Sequence, residues 1–281
     1  MKLCYQVATP DVAIAPSVTA YQGPLEKSFS DLSRLGYDGV ELMTIEPKRL
    51  DWRAVKQAAA DNGLSVALVC TGEVFGQKKL SFTDPDERVR EEAIREVLGL
   101  MSFAGYLGAK INIGRVRGQY RDDIERDRTY AWAVQAFRRL AAYGGEVGVD
   151  IALESVCIMQ TNFLNTLAEC VKMVDDVGHP RFRLMMDVFH MNIEERSVEE
   201  AIRTYAPYNI HVHLADNNRR YPGNCGIDFA QLLSVFRETG YDGAFCTEIF
   251  QEPDQGAAAA ESIRHLRPIL DRVYGIRQGL S

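Results

Sequence analysis

Several features that would place this 281-residue chain outside the small-molecule enzymes are missing from it. No apolar run approaches the roughly 18 residues that a membrane-spanning helix needs, and the start, MKLCYQVATPD, lacks the apolar core of a signal peptide. A net charge of −7 offers no basic surface for nucleic acid or for an anionic membrane. We therefore expect a cytoplasmic protein that binds neither nucleic acid nor membrane.

Common metal and nucleotide motifs are missing as well. The six cysteines include no Cys-x-x-Cys pair or other zinc spacing, and Cys4, Cys70 and Cys246 lie in apolar runs, so we expect reduced, structural thiols. No Gly-x-Gly-x-x-Gly follows the first predicted strand, and no Gly-x-x-x-x-Gly-Lys-Ser/Thr occurs. The sequence thus gives no motif for binding a dinucleotide or a nucleoside triphosphate.

What the chain does contain is a regular alternation of short apolar runs and amphipathic helices. The predicted strands are 3–9, 39–43, 65–71, 110–116, 150–155, 183–190, 210–215 and 244–250. The predicted helices are 24–35, 51–62, 84–107, 121–147, 166–177, 197–205, 228–239 and 257–273. Eight strands alternating with eight helices predict the α/β class, and about 250 residues are typical of an eight-fold barrel. We predict one (β/α)8 TIM barrel domain over residues 1–281.

Three local patterns refine this prediction. LGYDGVEL at 35–42 recurs in form as TGYDGAFCTEI at 239–249, and repeated βα units favour a closed barrel over an open sheet. Asp84 followed by Pro85 predicts a helix N-cap. The long loop 72–83 follows the third strand on the C-terminal face, where barrel active sites lie, so it either reaches over the site or is a solvated surface loop.

The last four strands carry acidic and histidine side chains near their C-terminal ends. Glu154 ends the fifth strand, and Glu248 lies near the end of the eighth. Asp187 lies near the end of the sixth strand, and His190 follows it by three residues. Burying a carboxylate on a strand is unfavourable unless a partner or a cation neutralises its charge. Because consecutive strands of a barrel are neighbours, we expect these side chains to converge.

The seventh strand adds a nitrogen ligand to this set. It contains His211 and His213, of which we expect one to point into the barrel and the other outward. Asp216, just after them, is the competing ligand on this strand. Three carboxylates and one imidazole form an oxygen-rich site that favours Mn²⁺, Mg²⁺ or Co²⁺ over a thiolate-binding metal. Without a cation the three carboxylates would repel one another.

The second half of the chain resembles the xylose isomerase-like TIM barrels, in particular the ketose 3-epimerases of D-tagatose and D-psicose and hydroxypyruvate isomerase. The segments that carry the resemblance are ALES (152–155), TNFLNT (161–166), MMDVFHMNIEE (185–195), HVHLADNNRRYPG (211–223) and GYDGAFCTEI (240–249). The first half matches only in its barrel alternation and in LGYDGVEL.

This resemblance implies a ligand set, a substrate pocket and an assembly. The implied metal ligands are Glu154, Asp187, His213 and Glu248, with Mn²⁺ as the ion and Mg²⁺ or Co²⁺ as alternatives. The implied substrate-binding residues are His190, Arg219, Gln160 and Phe250. The substrate is a small sugar or sugar derivative, and a homo-oligomer (dimer or tetramer) is expected because relatives form one.

The implied chemistry is removal and return of a proton next to a carbonyl group. A divalent cation would stabilise the negative charge of the enediolate, while Glu154 and Glu248 would act as base and acid from opposite faces. Return of the proton to the opposite face is an epimerisation, and return to the neighbouring carbon is an isomerisation. The predicted activity is that of a divalent-metal-dependent sugar epimerase or isomerase, similar to a ketose 3-epimerase.

The chain departs from this family pattern just after the fifth strand. Where the sugar epimerases have Asn-Arg-aromatic-Glu, this chain has Cys157, Ile158, Met159 and Gln160. We therefore expect an altered polar wall and a substrate that is less polar, or differently oxidised, than a free ketose.

Three other functions compete with this prediction. The main alternative is a lyase of the same superfamily that cleaves a 3-oxo-glycoside by β-elimination, with an aromatic leaving group against the apolar segment 157–159. A barrel of the AP-endonuclease type is disfavoured by the acidic charge and the single ligand cluster. A non-catalytic sugar-binding barrel would be indicated by failure to bind metal.

Overall fold

Eight parallel strands close into a barrel in chain order in the computed structural model, which describes residues 1–275. The strands are β1 (Lys2–Ala8), β2 (Gly39–Met43), β3 (Ser65–Cys70), β4 (Lys110–Ile113), β5 (Ile151–Glu154), β6 (Phe182–Asp187), β7 (Asn209–Leu214) and β8 (Ala244–Thr247). β1 pairs with both β2 and β8, and Cys4 lies opposite Cys246 where the sheet closes. The predicted TIM barrel is confirmed. Its predicted extent as one domain includes residues 276–281, which lie outside the described residues.

Helices connect consecutive strands and surround the barrel. They are α1 (Leu25–Leu35), α2 (Trp52–Asp61), α3 (Gly72–Gly76), α4 (Glu87–Leu107), α5 (Arg126–Val147), α6 (Leu167–Val177), α7 (Val188–Glu194), α8 (Val198–Tyr205), α9 (Phe229–Glu238) and α10 (Gln255–Tyr274). Within residues 1–275, no helix combines the length and the apolar character needed to cross a membrane.

Several predicted boundaries differ from the structure by a few residues, and an aspartate explains two of these differences. The helix predicted from residue 84 begins only at Glu87, because Asp86 caps it by accepting from the N–H of Arg88 at 2.9 Å. The strand predicted through residue 190 ends at Asp187, whose Oδ1 accepts from the N–H of Phe189 at 2.8 Å and starts α7. A carboxylate that caps the first N–H groups of a helix ends the preceding extended segment.

Side chains alternate along each strand between the barrel interior and the helical layer. Leu153, Met186 and Val212 point outward into the large core between the strands and helices. The interior holds a small cluster of Cys4, Ala244 and Cys246, and a second cluster that includes Met43, Leu68, Cys70, Ala152 and Met185. The same alternation turns Glu154, Asp187 and His213, each one position further along its strand, into the barrel.

The cysteines behave as small core residues. All six are free, five of them are buried, and only Cys225 is exposed. Their burial agrees with the expectation of structural thiols.

Candidate metal centre

Four buried or nearly buried side chains converge at the C-terminal end of the barrel. Glu154, Asp187, His213 and Glu248 each offer one ligand atom, and these atoms lie within 4.8 Å of one another. Nδ1 of His213 is 3.6 Å from Oε1 of Glu154, 3.7 Å from Oδ2 of Asp187 and 3.0 Å from Oε2 of Glu248. Adjacent ligands of an octahedral ion with bonds of about 2.1 Å lie about 3 Å apart. The spacing therefore suits a divalent cation.

Neighbouring strands place these side chains side by side. The parallel register of β6 and β7 sets Asp187 directly opposite His213, and Glu154 ends β5 next to them. Glu248 is one residue past the end of β8, which is shorter than the predicted strand 244–250. The convergence thus follows from barrel order and from the inward side of the alternation.

Two atoms of this cluster lack hydrogen-bond partners. Oε1 of Glu154 and Nδ1 of His213 are buried, and neither makes a hydrogen bond within residues 1–275. Buried polar atoms are nearly always paired, since an unpaired one costs about 1–3 kcal/mol. A cation between them would satisfy both atoms, so the residues present fit a bound metal ion.

Arg219 is the counter-charge that the cluster already contains. Its Nη1 donates to Oδ2 of Asp187 at 2.7 Å, and its Nη2 donates to Glu248. It has the left-handed φ of 59°, uncommon outside glycine, and its guanidinium lies 4.7 Å from the ring of Phe189. Metal ligands are deprotonated when they bind. With a neutral imidazole and three ionised carboxylates, the cluster and the guanidinium would carry a net charge of −2, which one divalent cation would balance.

The two glutamates differ in electrostatic environment. Burial raises the pKa of Glu154, assisted by the neighbouring charges of Glu248 and Asp187. Burial would also raise the pKa of Glu248, but the charge of Arg219 and the contact with His213 lower it to about 2. Carboxyl pairs whose pKa values are driven apart are typical of acid and base assignments in active sites.

His190 lies on the first turn of α7 beside the cluster. Its Nδ1 accepts from the N–H of Cys157 at 3.3 Å, and its Nε2 lies 3.8 Å from Oδ2 of Asp187. Burial lowers the pKa of His190 to about 4. The ring is therefore neutral near pH 7, and it carries its proton on Nε2, which is the nitrogen nearer to the cluster.

A cavity of about 420 Å³ opens above the four side chains. Its lining includes Glu154 and Glu248 of the cluster and all four predicted substrate-binding residues, namely His190, Arg219, Gln160 and Phe250. Met159 also lines it and is 70% exposed, so the departure from the family pattern forms part of the cavity mouth.

The loop 72–83 supplies part of the cavity wall through a short helix. Its residues 72–76 form α3, and Glu73 of this helix accepts from Nη2 of Arg115 at 3.0 Å beside the cavity. Lys78 pairs instead with Glu96 at 3.0 Å and with Glu46 at 3.4 Å. The loop therefore contributes Glu73 to the site, while Lys78 is held by carboxylates away from it.

A buried arginine that the sequence reasoning missed supports the end of β5. The Arg117 side chain is fully buried. Its Nε donates to the carbonyl of Gly114 at 2.9 Å, its Nη1 to that of Leu164 at 2.9 Å, and its Nη2 to that of Glu154. Arg117 therefore fixes the main chain at Glu154. Nothing in the local pattern distinguishes it from a surface arginine.

The prediction for the two histidines of β7 is wrong. Residues two apart on a strand face the same side, so both His211 and His213 point inward. Both contact Glu41, a buried strand residue inside the apolar run LGYDGVEL, to which no role was assigned. The sequence signal for Glu41 is a carboxylate on an apolar strand, which is the same signal that identified Asp187.

Asp216, the competing ligand on this strand, has a different role. Its carboxylate accepts from the N–H groups of Gly223, Cys225 and Ile227 at 2.8–3.2 Å. It therefore organises the loop that carries Arg219, and it does not belong to the cluster.

Comparison with known proteins gives the family and the fold of this chain. The family model for the xylose isomerase-like TIM barrel matches residues 29–269. The chain is 28% identical over 232 residues to a D-psicose 3-epimerase of Agrobacterium fabrum, covering 78% of this chain and 77% of that protein. It is 28% identical over 254 residues to a 3-dehydro-D-guloside 4-epimerase of Escherichia coli, covering 86% and 94%. A crystal structure of D-psicose 3-epimerase in the presence of D-fructose superposes with a TM-score of 0.81 at 23% identity, covering 98% of this chain and 100% of that one, which shows a shared fold.

Proposed function

The chain belongs to the xylose isomerase-like TIM barrel family, and we propose that it is a divalent-metal-dependent sugar epimerase that removes and returns a proton next to a carbonyl group. The observation that carries the proposal is the convergence of Glu154, Asp187, His213 and Glu248 beneath a substrate-sized cavity. Relatives that are named as epimerases act on sugars or on an oxidised glycoside, and they favour this reaction over the lyase alternative.

The metal would be held by those four side chains. Carboxylates and one imidazole suit Mn²⁺, which we propose as the ion, with Mg²⁺ and Co²⁺ as alternatives. When bound, the ion would supply electrostatic stabilisation of the negative charge that develops on the substrate oxygens. The unpartnered atoms of Glu154 and His213 and the net charge of −2 support this assignment.

Glu154 and Glu248 are the proposed proton-transfer residues. Oε2 of Glu154 receives only a long hydrogen bond from Asn112, at 3.4 Å, whereas Glu248 accepts from Thr19 at 3.0 Å and from Arg219. For one epimer Glu248, whose donors Thr19 and Arg219 favour its ionised form, acts as the base, and Glu154 acts as the acid on the other side. The roles exchange in the reverse direction.

His190 and Arg219 are the proposed contacts to substrate oxygens. Nε2 of the neutral His190 can donate to a carbonyl or hydroxyl oxygen near the cluster. Arg219 keeps Glu248 ionised and presents a fixed cation beside it. Both groups would stabilise charge where it develops, with little reorganisation because their own partners hold them in place.

The residues at the cavity mouth favour a substrate with an apolar or oxidised part. Met159, where the family pattern has an aromatic residue, lines this mouth with Gln160 and Phe250 and is 70% exposed. Ile158, where the pattern has an arginine, is 58% exposed. We propose that a sugar derivative, such as an oxidised glycoside, fits this wall better than a free ketose with its full set of hydroxyls. An exposed apolar surface at a binding site favours an apolar partner.

The experiment that tests the function is product analysis on two substrate panels. The metal-loaded enzyme is incubated with free ketoses and with 3-oxo-glycosides, and the products are followed by NMR. Formation of an epimer from any member supports the proposal. Release of the aglycone without an epimer would establish the lyase, and no reaction in either panel with bound metal present would contradict both. A cytoplasmic location and a homo-oligomer remain predictions, which cell fractionation and light scattering test.

A further inference from the structure

Glu41 spans the barrel interior from β2 to β7, far from its own neighbours in sequence. Its Oε2 accepts from Nε2 of His213 at 2.9 Å, and its Oε1 contacts Nε2 of His211. All three side chains are fully buried. A carboxylate with one imidazole on each oxygen is held in a single orientation, because both rings are fixed to the same strand.

This contact determines which nitrogen of His213 faces the metal centre. An ionised carboxylate can only accept, so the proton of a neutral His213 is on Nε2. The lone pair is then on Nδ1, the atom that lies 3.0–3.7 Å from the oxygens of Glu154, Asp187 and Glu248. With the other tautomer, an N–H group would point to the position of the cation.

Glu41 and the two histidines do not themselves form a second metal site. Each Nε2 already contacts a carboxylate oxygen of Glu41 directly, which leaves no space for an ion between them. Nδ1 of His213 and Nδ1 of His211 have no hydrogen bond within residues 1–275. Of the two, Nδ1 of His213 is the one that lies beside the carboxylates of the cluster.

We propose that Glu41 is a positioning residue that fixes the ring and the tautomer of His213 for metal binding. The inference rests on the proposed function, since it assumes a cation at the cluster. Metal-binding histidines commonly donate their second N–H to a carboxylate, and loss of such a partner lowers metal affinity or activity by about 10–100-fold.

The first test is the tautomer of His213 in the wild-type protein loaded with the diamagnetic ion Mg²⁺. Burial lowers the pKa of the metal-free ring, but Glu41 and Glu248 raise it well above its usual value, so only the metal-loaded protein reports a neutral ring. The chain contains only five histidines, so ¹⁵N-labelled histidine gives a spectrum that single variants can assign. We expect the proton of His213 on Nε2 and a lone pair on Nδ1. A proton on Nδ1 would overturn the proposal, and this result needs no Glu41 variant to fold.

The second test is Mn²⁺ affinity, measured from free Mn²⁺ by electron paramagnetic resonance. We expect Glu41→Gln to bind Mn²⁺ 10–100-fold more weakly than the wild type and to show an altered His213 tautomer. Glu238→Gln, which removes an exposed carboxylate paired with Arg203, should bind like the wild type. Unchanged Mn²⁺ affinity and an unchanged His213 tautomer in Glu41→Gln would overturn the positioning role of Glu41 and leave the proposed function intact. A wild-type protein that binds no Mn²⁺ would overturn the proposed function as well.

Discussion

Nδ1 of His213 lies 3.6 Å from Oε1 of Glu154, and neither atom has a hydrogen-bond partner within residues 1–275. Both atoms are buried at the C-terminal end of the barrel, where unpaired polar groups are costly. Asp187 and Glu248 bring two further carboxylates to the same point. A bound cation would satisfy the unpaired atoms and balance the excess negative charge together.

Metal removal should lower the stability of the protein. A ligand that binds only the folded state at 100 times its Kd stabilises it by about 2.7 kcal/mol. We therefore expect the Tm of the chelated protein to rise by several degrees when Mn²⁺ is added. Differential scanning calorimetry measures this, with Glu238→Gln as a control that should show the same rise. An identical Tm with and without Mn²⁺ would contradict the metal centre.

Replacement of Glu248 should remove proton transfer while preserving the shape of the site. A general acid or base contributes about 10²–10⁴-fold to a rate, so we expect Glu248→Gln to slow substrate proton exchange by at least about 100-fold. The measurement is made with Mn²⁺ occupancy confirmed, because Glu248 is also a proposed ligand. Exchange at the wild-type rate in fully loaded Glu248→Gln would exclude this residue as a proton-transfer group.

Replacement of Arg117 should loosen the support of the site. Arg117→Met would remove the guanidinium donor from the carbonyl groups of Gly114, Leu164 and Glu154. Hydrogen bonds to charged groups contribute about 1.5–3 kcal/mol each, so we expect a loss of at least about 2 kcal/mol in the free energy of unfolding. Urea denaturation measures it, and Arg264→Met, at a side chain that is 75% exposed, should stay within about 0.5 kcal/mol of the wild type.

Asp11 should make stability depend on pH in the acid range. Its Oδ2 accepts from the N–H of Ile45 at 2.8 Å and of Glu46 at 2.7 Å, and from Thr44 at 2.9 Å, which joins two loops of the C-terminal face. Burial would raise the pKa of Asp11, but these hydrogen bonds and one from Thr9 lower it. A lowered folded-state pKa contributes stability above the unfolded pKa of about 3.9, and this stability is lost as pH falls through the folded value.

The corresponding variant is Asp11→Asn. We expect it to be about 1–3 kcal/mol less stable than the wild type at pH 7, and we expect the difference to narrow below about pH 4. Urea denaturation at pH 7 and at the lowest pH at which both proteins are folded provides the comparison. A stability difference that stays constant with pH would show that the charge of Asp11 contributes nothing to the free energy of unfolding.

The barrel and the four-residue cluster were predictable because their signals are local. An acidic residue on an apolar strand is visible within a few positions, as at Asp187, and barrel order then brings neighbouring strand ends together. The start of α7 at Asp187 was missed because the same carboxylate caps the helix, a role that apolar periodicity does not report.

The supporting residues could not be predicted because their partners are distant in sequence. Arg117 contacts the carbonyl of a residue 37 positions away, and Glu41 contacts His213 across 172 positions. The error over His211 was one of strand geometry, since the alternation rule itself places both β7 histidines on one face. With both histidines inside the barrel, His211 needs a buried partner, and Glu41 is the carboxylate that it contacts.

The central claim is that this chain removes a sugar proton next to a carbonyl group only when a divalent cation is bound. The most direct measurement is deuterium incorporation from D₂O into a ketose or 3-oxo-glycoside panel, followed by NMR with chelated and with Mn²⁺-loaded protein. We expect deuterium at the carbon next to the carbonyl, together with an epimer, only in the loaded sample. Equal incorporation by the chelated protein, or none by the loaded protein with any member of the panel, would contradict it.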